Sequence, residues 1–336
     1  MNNKYQSKSR KKTPWDDNET LTESQAFISS VYVTHYDRSH MPLLESGESE
    51  LINSYIPKHC PYCRVNCFHS YGYTRNRIKR YKCSECGRTF TVLTGTLFDS
   101  HKISVSEWIE FCINLFHHVS IRSDSRNNKN AITTSRFWLH KLFLVLEDYQ
   151  KGIILKGTVY LDETYYTVES SDIIFKEDGK KKRGISRNKY CILTACDKDN
   201  VVCLVCGRGK PSGKGQIEFM KEHIEKGSHL IHDGENSHNK LIEQLDLVSE
   251  VHPTKETKGK KDKDNPMYPI NHIHFLLKSF LNAHSSFDRE DLQNYLNLFS
   301  FIMNPPDEEL GKVDLLVKWV LSEEKILCYR EFYAKK

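Results

Sequence analysis

Two cysteine pairs, CPYC at Cys60–Cys63 and CSEC at Cys83–Cys86, stand nineteen residues apart. Each CxxC turn can direct two thiolates at one ion, and two turns supply the four soft ligands of a closed tetrahedral zinc site. So short a segment buries little apolar area and needs such a staple. The spacing therefore predicts a structural zinc held by Cys60, Cys63, Cys83 and Cys86, the plain alternative being four buried thiols. Cys67 is a spare whose distance from Cys63 fits the pattern less well. The chain has eleven cysteines, an odd number, which argues against a disulfide framework. Cys203 and Cys206 form another CxxC. Three residues apart on a strand they point to opposite faces, so they read as small hydrophobes.

Length and patterning divide the 336 residues into more than one domain. Residues 1–54 read as a polar, flexible segment, with a short helix near Leu21–Tyr32. Residues 55–100 read as the four-cysteine ribbon, and 101–150 as a helical region. Within it, Ser104 and Glu107 have capping-box spacing. Trp108, Cys112, Leu115, Phe116 and Val119 follow at helical intervals. A polar stretch, Ser120–Asn130, precedes a second helix starting after Thr133-Thr134-Ser135, with Trp138, Leu142, Val145 and Leu146 on one face. Residues 151–305 carry TVYLDETYY as a strand, a hairpin turning at Lys198-Asp199-Asn200, a helix at Gly215–Lys226, the strand HLIH, a helix from Ser237 to about Leu245 and the strand LVSEV. Strands first as a meander, then alternating with helices, predict a mixed sheet flanked by helices. Residues 306–336 read as a helical extension.

The net charge is only +5, but its distribution is uneven. Lys58 to Arg88 carries eight Lys and Arg against Glu85 alone, and 176–189 and 255–265 are further basic stretches. Such runs are the footprint of phosphate contact or else solvated loops. Arg75, Arg77, Lys79 and Arg80 are the ribbon's candidates for DNA contact, with Arg136 and Lys141 on the second helix. No run approaches the roughly 20 apolar residues of a membrane span, and the polar start lacks a secretory signal core. The expectation is a cytoplasmic protein with no membrane partner.

Asp162 follows the strand TVYL and Asp233 follows HLIH. Carboxylates at the ends of neighbouring strands can converge and hold divalent cations through hard oxygen ligands. Two Mg²⁺ ions about 4 Å apart serve phosphodiester chemistry by activating the attacking oxygen and stabilising the leaving one. Either aspartate alone also reads as an ordinary turn or cap residue.

The order of parts over residues 55–303 is similar to the zinc-ribbon insertion-sequence transposases of bacteria, the group related to Merlin elements. The carriers are the four-cysteine ribbon, GRTFTVLTGTLFDSHKISVSEWIEF, a helix-turn-helix-like segment ending in SRFWLHKLF, then LDETYY, HDGE and NHIHFLLKSFL. The resemblance implies an RNase H-like catalytic domain whose acidic residues hold two Mg²⁺ ions, with Mn²⁺ able to substitute. Asp162 takes the first position and Asp233 the second. The third, usually Glu, lies seven residues before a Lys. Counting back from Lys278 gives Asn271, an Asn variant of the triad. Asn271 and Lys278 lie two turns apart on one helix face, with His274 to one side. An uncharged amide should bind the second ion more weakly than a carboxylate, and Lys278 would contact phosphate.

The implied function is a Mg-dependent transposase that cuts and joins DNA. It would bind terminal inverted repeats and target double-stranded DNA as a homo-oligomer, at the nucleoid. A competing reading is a degenerate or repurposed copy that only binds DNA, for which the missing third carboxylate argues. A zinc-ribbon component of transcription machinery explains the cysteines but not residues 157–303.

Overall fold

The structure is a computed structural model and describes residues 12–13, 15–17, 20–39, 45–99, 104–128, 130–210, 219–285 and 287–334. It divides into two compact units, residues 1–141 with 313–336, and residues 142–312.

In the first unit, helices α1 (Glu23–Ser39) and α2 (Glu45–Ser54) precede a three-stranded antiparallel sheet of β1 (Phe68–Tyr73), β2 (Lys79–Cys83) and β3 (Thr89–Phe90). Alternation along β1 and β2 sends Phe68, Tyr81 and Phe90 inward as an aromatic cluster beside Cys60 and Cys83. The side chain of Asn53 on α2 donates to the Arg77 carbonyl at 2.9 Å and accepts from Lys79 N–H at 2.8 Å, tying α2 to the β1–β2 turn.

Helix α3 (Val105–Phe116) starts at Ser104, whose hydroxyl accepts from the Glu107 N–H at 3.0 Å, as the capping spacing predicts. The polar stretch after it forms α4 (Ile121–Asn127). The reason is Asp124, fully buried, whose carboxylate accepts from Asn114 (3.0 Å), Asn128 (2.8 Å) and Ser135 (2.9 Å). A buried carboxylate with three donors replaces the apolar stripe that marks most helices. The next helix, α5 (Ile132–Leu146), begins ahead of the expected Thr-Thr-Ser start, and Trp138, Leu142, Val145 and Leu146 are all buried. Helices α9 (Glu309–Ser322) and α10 (Tyr329–Ala334), numbered after those of the second unit, complete the described chain.

The second unit is built on a five-stranded sheet. Its strands β4 (Thr158–Thr167), β5 (Lys189–Cys196) and β6 (Val201–Arg208) form an antiparallel meander, and β7 (His229–His232) and β8 (Val248–Val251) add in parallel beyond β4. The order β6-β5-β4-β7-β8 is RNase H-like. Val159, Leu161, Leu193, Ala195, Val202 and Leu230 face a core closed by Leu241 of α6 (Asn239–Leu245). The opposite face carries α7 (Tyr268–Ala283) and α8 (Leu292–Met303). Tyr166 Oη donates to the Leu281 carbonyl on α7 at 3.2 Å, and the Gln293 side chain on α8 accepts from Val205 N–H at 2.9 Å. The helix expected at Gly215–Lys226 lies partly outside the described residues. Phe219 and Met220 are helical, and the chain then turns to pair Ile224 with Leu155.

The Asp124 network gives a stability prediction. Asp124→Ala strands one buried donor, Ser135, at about 1–3 kcal/mol, and two half-buried ones, Asn114 and Asn128, so urea melts should show a loss of about 2 kcal/mol or more. A loss below about 0.5 kcal/mol would contradict the account.

Candidate active site and ribbon surface

The parallel register of β4 and β7 builds the carboxylate pair. Leu161 pairs with His232 at the last rung, so the next residues, Asp162 and Asp233, stand side by side just past the pairing. Asp162 is not at a strand end as the sequence implied. It lies mid-strand, opposite Thr194 of β5, and only its β7 side is open. Beyond Asp233 the chain turns at Gly234, with φ +87°. A Cβ there would meet Val251 Cγ1 at 2.6 Å, so only glycine lets the turn lie this close to β8. The Asp233 carboxylate accepts from Glu235 N–H at 3.0 Å within the turn.

A cavity of about 220 Å³ opens here, lined by Asp162, Glu163, Asp233, Lys210, Glu235 and Thr254 among others. Lys210 pairs with Glu235 at its rim, 3.0 Å apart. Burial, and then the negative charge of Asp233, raises the Asp162 carboxyl to about 7. His274 of α7 places Nδ1 3.7 Å from Asp162 Oδ2. Burial, and then the Lys278 charge, lowers its imidazole to about 4. His274 Nε2 is buried with no hydrogen-bond partner among the described residues. Two carboxylates in mutual repulsion with a buried ring nitrogen beside them suit a cation, whose charge would relieve the repulsion.

Asn271 and Lys278 are both exposed on α7. They lie three residues before and four after His274, hence on its side of the helix, but neither lines the cavity. His274 lies to one side of the face that Asn271 and Lys278 share, and of the three it is the buried one. The sequence reading also passed over Glu163, Lys210 and His238. Glu163 stands beside Asp162 within LDET, and His238 five residues after Asp233, which is the only signal either offered.

In the ribbon, Cys60 and Cys86 Sγ are 3.7 Å apart, Cys63 and Cys83 Sγ 3.5 Å, and all four lie within 4.8 Å of one another. A tetrahedron with Zn–S bonds of about 2.3 Å has edges of about 3.8 Å, so the thiols fit a tetrahedral ion. Each knuckle closes with a left-handed residue, Arg64 (φ 65°) and Gly87 (φ 69°). The Cys86 and Glu85 backbone N–H groups help hold the Cys83 thiol down at about 7. Cys67 is exposed and outside the cluster.

Arg75 and Arg77 are exposed at the β1–β2 turn. Arg80 and Lys82 lie over the exposed Tyr71 ring at 5.5 and 5.2 Å, and Lys79 over Tyr81 at 5.4 Å. Arg136 is exposed on α5. Lys141 is not available to DNA here. It is 2% exposed, donates to the Leu97 carbonyl and sits 5.0 Å over Phe137, and burial lowers its ammonium to about 8. It follows Phe137 and Trp138 by one turn and so falls on the apolar stripe.

The strand order of the five-stranded sheet and the helices on both its faces define an RNase H-like fold. Residues 154–304 match the family of ISXO2-like transposase domains, so this part of the chain is similar to insertion-sequence transposase domains. A relative, an uncharacterized protein in transposable element ISH50 of Halobacterium salinarum, is 28% identical over 110 residues, 32% of this chain. The chain spans about a third (36%) of the length of that relative. Among solved structures, a simian T-cell lymphotropic virus intasome in complex with PP2A regulatory subunit B56 gamma matches at 10% identity over 58% of this chain and 68% of that one, TM-score 0.29. A pre-cleavage Mos1 transpososome matches at 10% identity over 66% and 76%, TM-score 0.21. No described helix is long and apolar enough to cross a membrane.

The Asp162 environment gives a pH prediction. The unfolded chain loses this proton near pH 4 and the folded chain near pH 7. Between these values the folded state holds the extra proton, so stability falls as pH rises. With Mg²⁺ and Mn²⁺ withheld, Asp162→Asn should melt above the parent, by a margin that grows from about pH 4 to about pH 7 and then levels off. A margin that is flat or shrinks with pH would contradict this environment.

Proposed function

We propose that this chain is a Mg²⁺-dependent transposase that binds the ends of an insertion sequence and performs DNA cleavage and strand transfer. The observation that carries the reading is the convergence of Asp162 and Asp233 just past the last rung of the β4–β7 pairing, within the part of the chain that matches ISXO2-like transposase domains. Asp162 and Asp233 hold the catalytic cations, with Asn271 as third ligand through its amide oxygen. Mg²⁺, or Mn²⁺ in its place, supplies the charge that activates the attacking oxygen and stabilises the leaving one. Lys278 and Lys210 meet phosphate. Two basic segments supply further charge beside the cavity, since Ile185 of one and Thr254, next to the other, line its wall.

Residues 55–100 form a zinc ribbon held by Cys60, Cys63, Cys83 and Cys86, and grip double-stranded DNA through Arg75, Arg77, Lys79 and Arg80. Residues 101–150 add Arg136 as the helical DNA-binding part, 151–305 catalyse, and 1–54 and 306–336 flank them. Holding two ends requires at least two subunits. The reading in which the chain binds DNA without cutting it draws on Asn271, which supplies no charge at the third position.

A strand-transfer assay with the element's ends and Mg²⁺ separates the two. Asp162→Ala and Asp233→Ala should each abolish product while leaving end binding intact. Asn271→Ala should reduce product and Asn271→Asp should alter the metal preference. Product retained in either aspartate variant would overturn the catalytic assignment, and no product from the parent with any divalent ion would favour the binding-only reading. In parallel, zinc removal by a strong chelator should abolish end binding in gel shifts, and readdition of zinc should restore it. Binding that survives complete zinc loss would contradict the ribbon's role.

A further inference from the structure

Behind the carboxylate pair, on the opposite face of the sheet, runs a buried polar chain. Successive strand residues alternate faces, so Glu163 leaves β4 on the face opposite Asp162, while also reaching the wall of the cavity. His232, the register partner of Leu161, shares that opposite face. Both reach His238, in the turn that follows Asp233. His238 Nε2 lies 3.3 Å from Glu163 Oε1, and its Nδ1 is 2.9 Å from His232 Nδ1. His232 Nε2 is in turn 2.9 Å from Ser249 Oγ on β8. The two rings are 1% and 2% exposed.

The hydrogen bonds fix the direction of this chain. The Gly234 N–H donates to His232 Nδ1 at 3.2 Å, which makes that nitrogen an acceptor. His238 must then donate from its own Nδ1, and His232 carries its proton on Nε2, where it donates to Ser249. To meet the Glu163 carboxylate 3.3 Å away, the ring must carry a second proton on Nε2, and in this geometry that contact is an ion pair and not a hydrogen bond. The chain joins β4, the β7 turn and β8, and it attaches to the residue after Asp162 and the residue before Asp233.

We propose that His238 is a positioning residue that sets the spacing of Asp162 and Asp233 for cation binding, by bridging Glu163 to His232. The inference rests on the reading of the two aspartates as the cation site. His232, Asp233 and His238 also bring their ligand atoms within 4.8 Å of one another, the arrangement of a metal centre of their own. The Gly234 N–H aimed at His232 Nδ1 occupies the lone pair such a centre would need, so the chain of hydrogen bonds ending in the Glu163 ion pair is the better account.

The test is Mn²⁺ titration of the full chain, zinc retained, followed by electron paramagnetic resonance, with Tm measured on each variant. Loss of a partner that orients metal ligands weakens affinity by about 10- to 100-fold, and His238→Ala should fall in that range. His238→Asn, which keeps a donor near the Nδ1 position, should recover part of the loss, as should added imidazole in His238→Ala. If His238→Ala does not fold, His238→Asn and Glu163→Gln carry the test, each with a severalfold loss expected. A folded His238→Ala with parental Mn²⁺ affinity, even at lowered Tm, overturns the inference. So does a second equivalent of zinc in the purified parent that disappears with His238. Asp162→Ala serves as the control. If it leaves Mn²⁺ uptake unchanged, the cation site itself fails. If it abolishes uptake while His238→Ala keeps it, only the present inference fails.

Discussion

The pairing of Leu161 with His232 is the constraint on which the site depends. A strand register is set by which side chains must be buried, and a slip by one residue would turn every one of them to the wrong face. Here Val159, Leu161 and Leu230 lock the register from below. The same lock brings Asp162 and Asp233 together above it, and burial first, then their repulsion, raises the Asp162 carboxyl. The apolar core therefore holds two like charges at a distance they would not choose. Relief of that repulsion by a cation links the packing of the sheet to the chemistry proposed for it.

The ribbon applies the same logic with other means. Its aromatic cluster of Phe68, Tyr81 and Phe90 is too small to fix a sheet alone, and four thiols converge beside it. With the inner face so held, the outer face is left to Tyr71, Arg80 and Lys82. Two cations over one exposed ring make this face of the ribbon positively charged.

Much of this was legible in the sequence where the signal is local. The paired CxxC turns, the Ser104 cap, the hairpin at Lys198-Asp199-Asn200 and both aspartates can each be read within a few residues. Features that depend on distant partners were not. Helix α4 lacks an apolar stripe because Asp124 is satisfied by Asn114 and Ser135 from neighbouring helices. Lys141 reads as a surface cation by its type, yet Phe137 and Trp138 carry its helix face inward. Glu163 and His238 are seventy-five residues apart and meet only once β4 and β7 pair. His274 was placed to one side of the Asn271–Lys278 face by counting, whereas its position over Asp162 follows from how α7 lies on the sheet.

The central claim is that Asp162 and Asp233 form a divalent-cation centre. Anomalous diffraction from crystals of the full chain grown with Mn²⁺ tests it most directly. The account predicts an anomalous peak between the two carboxylates, separate from the zinc peak among Cys60, Cys63, Cys83 and Cys86. Well-ordered carboxylates with no peak between them at saturating Mn²⁺ would contradict it.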